Sequence, residues 1–132
     1  MAQEFVAPKE VKSCPVDNTF RIIGKKFTVQ IVRDMYLRKQ SRFNEFLSSV
    51  DGINSNTLAV RLKEMEKGKL ITKKILSKTP LRIEYALTNK GSDLIPVLEQ
   101  MAAFSLKHEP QIYFDKKTRS FQEVCGRNPA SL

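Results

Sequence analysis

The residues with the most chemical promise fall between Asn54 and Arg82. Ser55, Asn56 and Thr57 place short hydroxyl and amide side chains next to one another, and such groups bond phosphate oxygens and base edges. Val60, Arg61, Lys63 and Lys67 follow. A carboxamide such as that of Asn56 can pair with adenine, and a branched apolar group such as that of Val60 can rest on a thymine methyl. Arg61, at the flank, is better suited to phosphate than to bases. A second basic group follows in Lys73, Lys74, Lys78 and Arg82, all candidates for backbone contact. Each phosphate so neutralised steepens the log–log salt dependence of binding by about 0.9. Arg82 is the strongest single candidate in that group.

Other chemistry finds little support. No glycine-rich phosphate loop, carboxylate pair or nucleophile–base set stands out, so neither an enzyme nor a bound cofactor is predicted. His108 is the only histidine, and no ligands cluster around it. Cys14 and Cys125 lie far apart and match no zinc or CxxC spacing, so no metal site is predicted.

The side chains between Asn54 and Arg82 need a scaffold, and the apolar spacing supplies one. Leu58, Leu62 and Met65 share one helical face, which turns Asn56, Val60, Lys63 and Lys67 outward on a helix over 55–67. Asn54 is its expected N-cap, Ile53 and Leu58 a hydrophobic staple, and Gly68 its stop. Asp51-Gly52 reads as the preceding turn, and residues 42–49 as a short helix with Phe43, Phe46 and Leu47 on one side. Before it, Phe20, Ile23, Phe27, Ile31 and Met35 give an apolar face over 20–38, with Gly24 marking a break.

Beyond Gly68 the period changes. Residues 70–76 are rich in β-branched and apolar types, and Leu81, Ile83, Tyr85 and Leu87 alternate with Arg82, Glu84 and Ala86. With Ser77-Lys78-Thr79-Pro80 as the turn, this is a β-hairpin with a basic tip. Thr88 or Asn89 caps a last helix over 90–108, where Leu94, Leu98, Met101, Val97, Phe104 and Ser105 form a stripe too broad for one small body. Part of it is therefore expected to face a partner subunit. The fold class is mainly α with a small hairpin, a winged helix-turn-helix. The expected organisation is an arm over 1–13, that domain over 14–108 including a dimerisation helix, and an unassigned tail over 109–132.

The whole chain has 132 residues and a net charge of +9. Residues 21–90 hold 16 Lys and Arg against 6 Asp and Glu, while the two flanks together hold 7 against 8. All the excess positive charge sits in the middle, which is the footprint expected for a polyanion such as double-stranded DNA. Met1 is followed by no apolar signal region, and no stretch approaches a membrane span, so a cytoplasmic protein without a membrane partner is expected.

A family resemblance runs through residues 14–108. Cys14-Pro15-Val16, Thr19-Phe20 and Ile23-Gly24-Lys25-Lys26-Phe27 resemble the N-terminal signature of HxlR-type regulators, within the MarR-like winged helix proteins. Arg42-Phe43-Asn44-Glu45-Phe46, Gly52-Ile53, Leu58, Arg61-Leu62, Glu64-Met65-Glu66, Arg82-Ile83-Glu84-Tyr85-Ala86-Leu87-Thr88, Gly91 and Leu94-Ile95-Pro96-Val97-Leu98 follow in order. The chain departs from the pattern at Phe27 for Trp, Asn54 for Ser and Asn56 for a basic residue. It also has Gly68-Lys69-Leu70 for Asp-Gly-Leu, with the glycine one place early. The resemblance implies a homodimer on a pseudo-palindromic operator, joined through the N-terminal segment and the last helix. It also implies a candidate redox-sensing thiol at Cys14, although the residues themselves favour a small hydrophobe buried at the dimer contact; Cys125, in the unassigned tail, is a weaker candidate as a resolving partner. A small-molecule or redox effector is thus an open possibility.

Two other function classes fit a winged helix. One is a protein–protein interaction module, which the central charge of +10 disfavours because interface cores are depleted in lysine. The other is a non-specific nucleic-acid-binding protein, which would show little preference among sequences.

Overall fold

The computed structural model describes residues 13–113 and 125–126. The chain order is α1 (Pro15–Ile23), α2 (Thr28–Leu37), α3 (Phe43–Ser49), α4 (Ser55–Lys67), β1 (Ile71–Lys78), β2 (Leu81–Leu87), α5 (Asn89–Ser92) and α6 (Ile95–His108), followed by a 3₁₀ turn at Pro110–Ile112. The expected arm lies outside the described residues except for Ser13, as does most of the expected tail.

The stretch expected as helix over 20–38 is two helices, and the first begins earlier. Pro15 opens α1, where its fixed φ and missing N–H suit a first helical position. The helix ends at Ile23, and Phe27 takes a left-handed backbone (φ 77°) before α2 starts at Thr28. The break changes the helical phase. Phe27, Ile31 and Met35 are buried as expected, whereas Phe20 is 68% exposed.

The core is one cluster, in which Phe27, Ile31, Val32 and Met35 of the α2 region meet Phe46, Leu58, Leu62, Met65, Ile71, Ile95 and Leu98. A polar knot lies within it. Asp34 is fully buried and accepts a hydrogen bond from Ser49 Oγ (2.6 Å) and one from Arg33 Nε (2.8 Å), with Arg38 Nη1 3.2 Å away. These bonds join α2 to the end of α3, just ahead of the turn into α4. Glu45 fixes the start of α3 by accepting from the Ser41 and Arg42 N–H groups (3.0 and 2.9 Å).

The hairpin is antiparallel, with Ile71 opposite Leu87 and Ile75 opposite Ile83. The strands run further than expected. Leu76 is bulged out, Ser77 and Lys78 then pair with Arg82 and Leu81, and only Thr79 and Pro80, joined by a cis peptide bond, remain as the turn. The hairpin root is tied to the helices. Tyr85 N–H donates to Ser41 O (2.8 Å), and Thr88 Oγ1 donates to Lys69 O (2.6 Å). Gly91 packs so closely on Leu70 that a Cβ would collide with the Leu70 carbonyl.

The final helix is also divided. Thr88 caps α5 by accepting from Gly91 N–H (3.0 Å), and Asp93 and Leu94 separate α5 from α6. Pro96 explains the interruption: its ring would crowd the carbonyl four residues back, at Ser92, where α5 ends.

Candidate nucleic-acid interface

The central element, α4, spans Ser55–Lys67, the expected limits. Both ends are satisfied by local chemistry. Asn54 Oδ1 accepts from Thr57 N–H (2.8 Å), an N-cap bond. At the other end Lys69 N–H donates to Glu66 O (3.0 Å) and Leu70 N–H to Met65 O (2.9 Å), the paired bonds of a Schellman ending. The left-handed residue of that ending is Lys69 (φ 62°), while Gly68 keeps ordinary helical φ. A lysine thus stands where the motif favours glycine, which accounts for the displaced glycine in the sequence. Leu70 and Met65 are both buried and close the turn.

Leu58, Leu62 and Met65 are buried. Ser55, Asn56, Val60, Lys63 and Lys67 are exposed, and Thr57 is half-buried. Val60 is 53% exposed, although an apolar side chain gains by leaving water. The exposed strip therefore carries amide, hydroxyl, methyl and ammonium groups together, which covers both base-edge and phosphate chemistry.

Arg61 departs from the expectation of a phosphate contact. It is turned inward, with Nε donating to Lys26 O (2.8 Å) and Nη1 paired with Glu64 Oε2. Lys25 Nζ reaches the same carboxylate at 3.3 Å. Burial would raise the pKa of Glu64, but the hydrogen bonds from Arg61 and Lys25 outweigh it and hold the carboxyl below its ordinary value. Arg61 thus clamps the α1–α2 connection onto α4. Its partner carbonyl is 35 positions away, so spacing along the helix could not reveal this.

The hairpin cations are all exposed, but they do not form one row. Lys73 lies opposite Tyr85 and Lys74 opposite Glu84, so they point to opposite faces. Past the bulge, Lys78 is level with Leu81 and Arg82 with Ser77. Lys78 therefore shares the Tyr85 face, and Arg82 the Glu84 face. Glu84 also lies 3.9 Å from Arg42 Nη2. The tip carries apolar surface too, since Ile75, Leu76 and Leu81 are exposed.

Cys14 is exposed and sits at the N-cap position of α1. Cys125 is half-buried, and burial pushes its thiol above the ordinary value while Arg33 and Arg38 pull it down. Asp34 was missed by pattern reading. Its signal was a carboxylate in helical phase between Ile31 and Met35, where a burial penalty demands partners.

A helix pair joined by a tight turn and followed at once by a hairpin makes this a winged helix-turn-helix protein, the class of a transcription regulator. Residues 22–113 match the HxlR-like helix-turn-helix family, and the chain belongs to that family. Among relatives, it is 30% identical over 95 residues to the HTH-type transcriptional regulator YdzF of Bacillus subtilis, covering 72% of this chain and 87% of that one. The regulator YodB of Bacillus subtilis in its reduced form has a similar structure: TM-score 0.62, 32% identity, covering 74% of this chain and 97% of YodB. YodB has also been solved diamide-treated and quinone-bound. A structure assigned to the MarR family from Porphyromonas gingivalis W83 gives a TM-score of 0.65 at 26% identity, covering 80% of this chain and 99% of that one.

Proposed function

We propose that the chain regulates transcription as a homodimer on a pseudo-palindromic operator, with α4 in the major groove and the hairpin wing against the backbone or minor groove. The observation that carries this reading is the division of α4. Leu58, Leu62 and Met65 anchor it, and Ser55, Asn56, Val60, Lys63 and Lys67 stand free on the other side. Asn56 and Val60 read bases, Ser55 and Thr57 meet phosphate at the helix start, and Lys63 and Lys67 follow the backbone. Lys73, Lys74, Lys78 and Arg82 neutralise further phosphates from the two faces of the wing. Arg61 acts as a positioning residue.

The dimer reading rests on apolar surface that stands exposed among the described residues. Val16 is 73% exposed and Phe104 69% exposed, and Phe20 and Met101 are exposed as well. Burying them against a second copy would join α1 and α6 of the two subunits. Exposed Cys14, at the start of α1, then lies at the edge of that contact, and an oxidant or electrophile acting there would disturb the dimer. YodB, solved in reduced, diamide-treated and quinone-bound forms, supports such an effector. Among the described residues no helix is long and apolar enough to cross a membrane. A cytoplasmic regulator fits that fact, and a catalytic role is not part of this reading.

Site selection from random duplex DNA at near-physiological salt tests the reading. A palindromic consensus with half-sites about 34 Å apart, one helical turn, is expected. Recovery of no consensus would instead favour non-specific binding.

A further inference from the structure

The apolar face of the hairpin runs on past the core. Ile71 is 1% exposed at the root, whereas Ile75 is 51% and Leu81 64% exposed toward the tip. Ile75 lies opposite Ile83, and Leu81 precedes Ile83 by two residues on the same strand, so these three side chains share the Tyr85 face. Leu76 in the bulge and Pro80 in the turn are exposed as well. Single exposed apolar residues need no explanation, but a cluster of them at a hairpin tip marks a contact surface.

Charge decides what covers it. Within residues 71–87 Glu84 is the single carboxylate against Lys73, Lys74, Lys78 and Arg82. Glu84 already has Arg42 Nη2 at 3.9 Å. An apolar protein surface would leave these cations uncompensated, whereas a polyanion matches them. The cations also divide between the faces, with Lys73 and Lys78 on the apolar one and Lys74 and Arg82 on the other. A groove of duplex DNA has a phosphate strand along each wall and so meets both sets at once. Phosphates give leucine and isoleucine side chains no cover, but the base steps of the minor groove do. That groove is about 6 Å wide, and a hairpin with side chains on both faces is about 10 Å thick, the spacing of stacked sheets. Entry therefore widens the groove, which is easiest at flexible pyrimidine–purine steps.

We propose that the wing tip is an apolar wedge, a step that rests on the placement of α4 in the major groove proposed above. Leu81, backed by Ile75 and Ile83, enters the minor groove flanking each half-site. There it partly unstacks a pyrimidine–purine step and bends the duplex toward the major groove. Lys73 and Lys78 hold the phosphates of one wall, Lys74 and Arg82 those of the other. The wing thus adds specificity through the deformability of one step, beyond its attraction to phosphate. The two walls of a groove account for cations on two faces, which a planar anionic membrane, the other polyanion with an apolar interior, does not call for.

The test is site selection from one random duplex pool with the full chain and with Leu81→Thr, which removes apolar bulk at an exposed position yet suits a strand. Both proteins should recover the same central bases, and only the wild type a TA or CA/TG step outside each half-site. On the selected operator, replacing that step by a stiff AA step should weaken the wild type about tenfold, the effect of one unfavourable base pair. Leu81→Thr should be insensitive to the replacement, and its salt slope should equal that of the wild type because no cation is lost. Energy transfer between labelled duplex ends should show a bend with the wild type and a smaller one with Leu81→Thr. Ile75→Thr should act in the same direction and decides the matter if Leu81→Thr misfolds. A consensus without a flanking step, or a flanking step that both variants keep, would overturn the wedge and leave the operator reading standing. No consensus from any of the proteins would overturn both. Wild-type binding to phosphatidylserine vesicles that Leu81→Thr loses, with DNA preferences unchanged, would assign the tip to a membrane instead.

Discussion

Helices α1 and α4 are both amphipathic, but they use their apolar faces in opposite ways. The face of α4 is inside: Leu58, Leu62 and Met65 are buried, Asn54 caps one end, and a Schellman turn closes the other. None of the nine residues of α1 is buried, and Val16 and Phe20 stand in solvent. The difference teaches that, among the described residues, α4 is held by its own contacts while the apolar face of α1 stays uncovered. The proposed function uses both: α4 as a rigid reading helix, and α1 as a joint that sets the distance between two such helices.

The largest expected effect attacks the joint. Phe20→Glu puts a charge into the uncovered face of α1 and should yield a monomer by sedimentation. Operator affinity should then fall by roughly 10²–10⁴, the advantage of two linked sites over one. The α4 surface should be untouched, so weak binding to random duplex should persist. A dimer surviving Phe20→Glu would break the comparison, because α1 would then not be the joint.

The next effects probe how firmly the α4 side is held. Asp34→Ala leaves the Arg38 guanidinium, whose side chain is 10% exposed, without its carboxylate. Losing one partner of a buried pair costs about 3–5 kcal/mol, to be read from urea unfolding. Asn54→Ala removes the cap and should cost about 1 kcal/mol. A change in the opposite direction is expected from Lys69→Gly, which relieves the left-handed backbone at that position. It should stabilise by about 0.5–1 kcal/mol. A loss on Lys69→Gly would show that the lysine side chain holds something the backbone argument leaves out.

The same contrast explains what the sequence could reveal. The limits of α4 were legible because Asn54 and the Gly68–Leu70 turn act within a few residues. The fold class followed from the change of period after Gly68. The start of α1 is not legible from the apolar face, which begins at Phe20, whereas Pro15, a good first helical residue, opens the helix earlier. The split at Asp93 and Leu94 does not show in the apolar stripe over 90–108, because Pro96, which sets it, is compatible with the first turn of a helix that starts only at Ile95. Arg61 was assigned to phosphate because its true partners, the Lys26 carbonyl and Glu64, are set by tertiary contact. The hairpin that carries the wing cations was legible but not the face of each, since the bulge at Leu76 decides which side Lys78 and Arg82 occupy.

The central claim is that α4 reads bases while the wing holds the backbone. It is tested most directly by measuring the affinities of Asn56→Ala and Lys78→Ala for the selected operator and for random duplex at one salt concentration. Asn56→Ala should lower operator affinity about tenfold, within the 1–3 kcal/mol of one base contact, and leave random duplex unchanged. Lys78→Ala should lower both alike and flatten the salt slope by about 1. If Asn56→Ala weakens both duplexes equally, or neither, α4 does not read the sequence and the account is wrong.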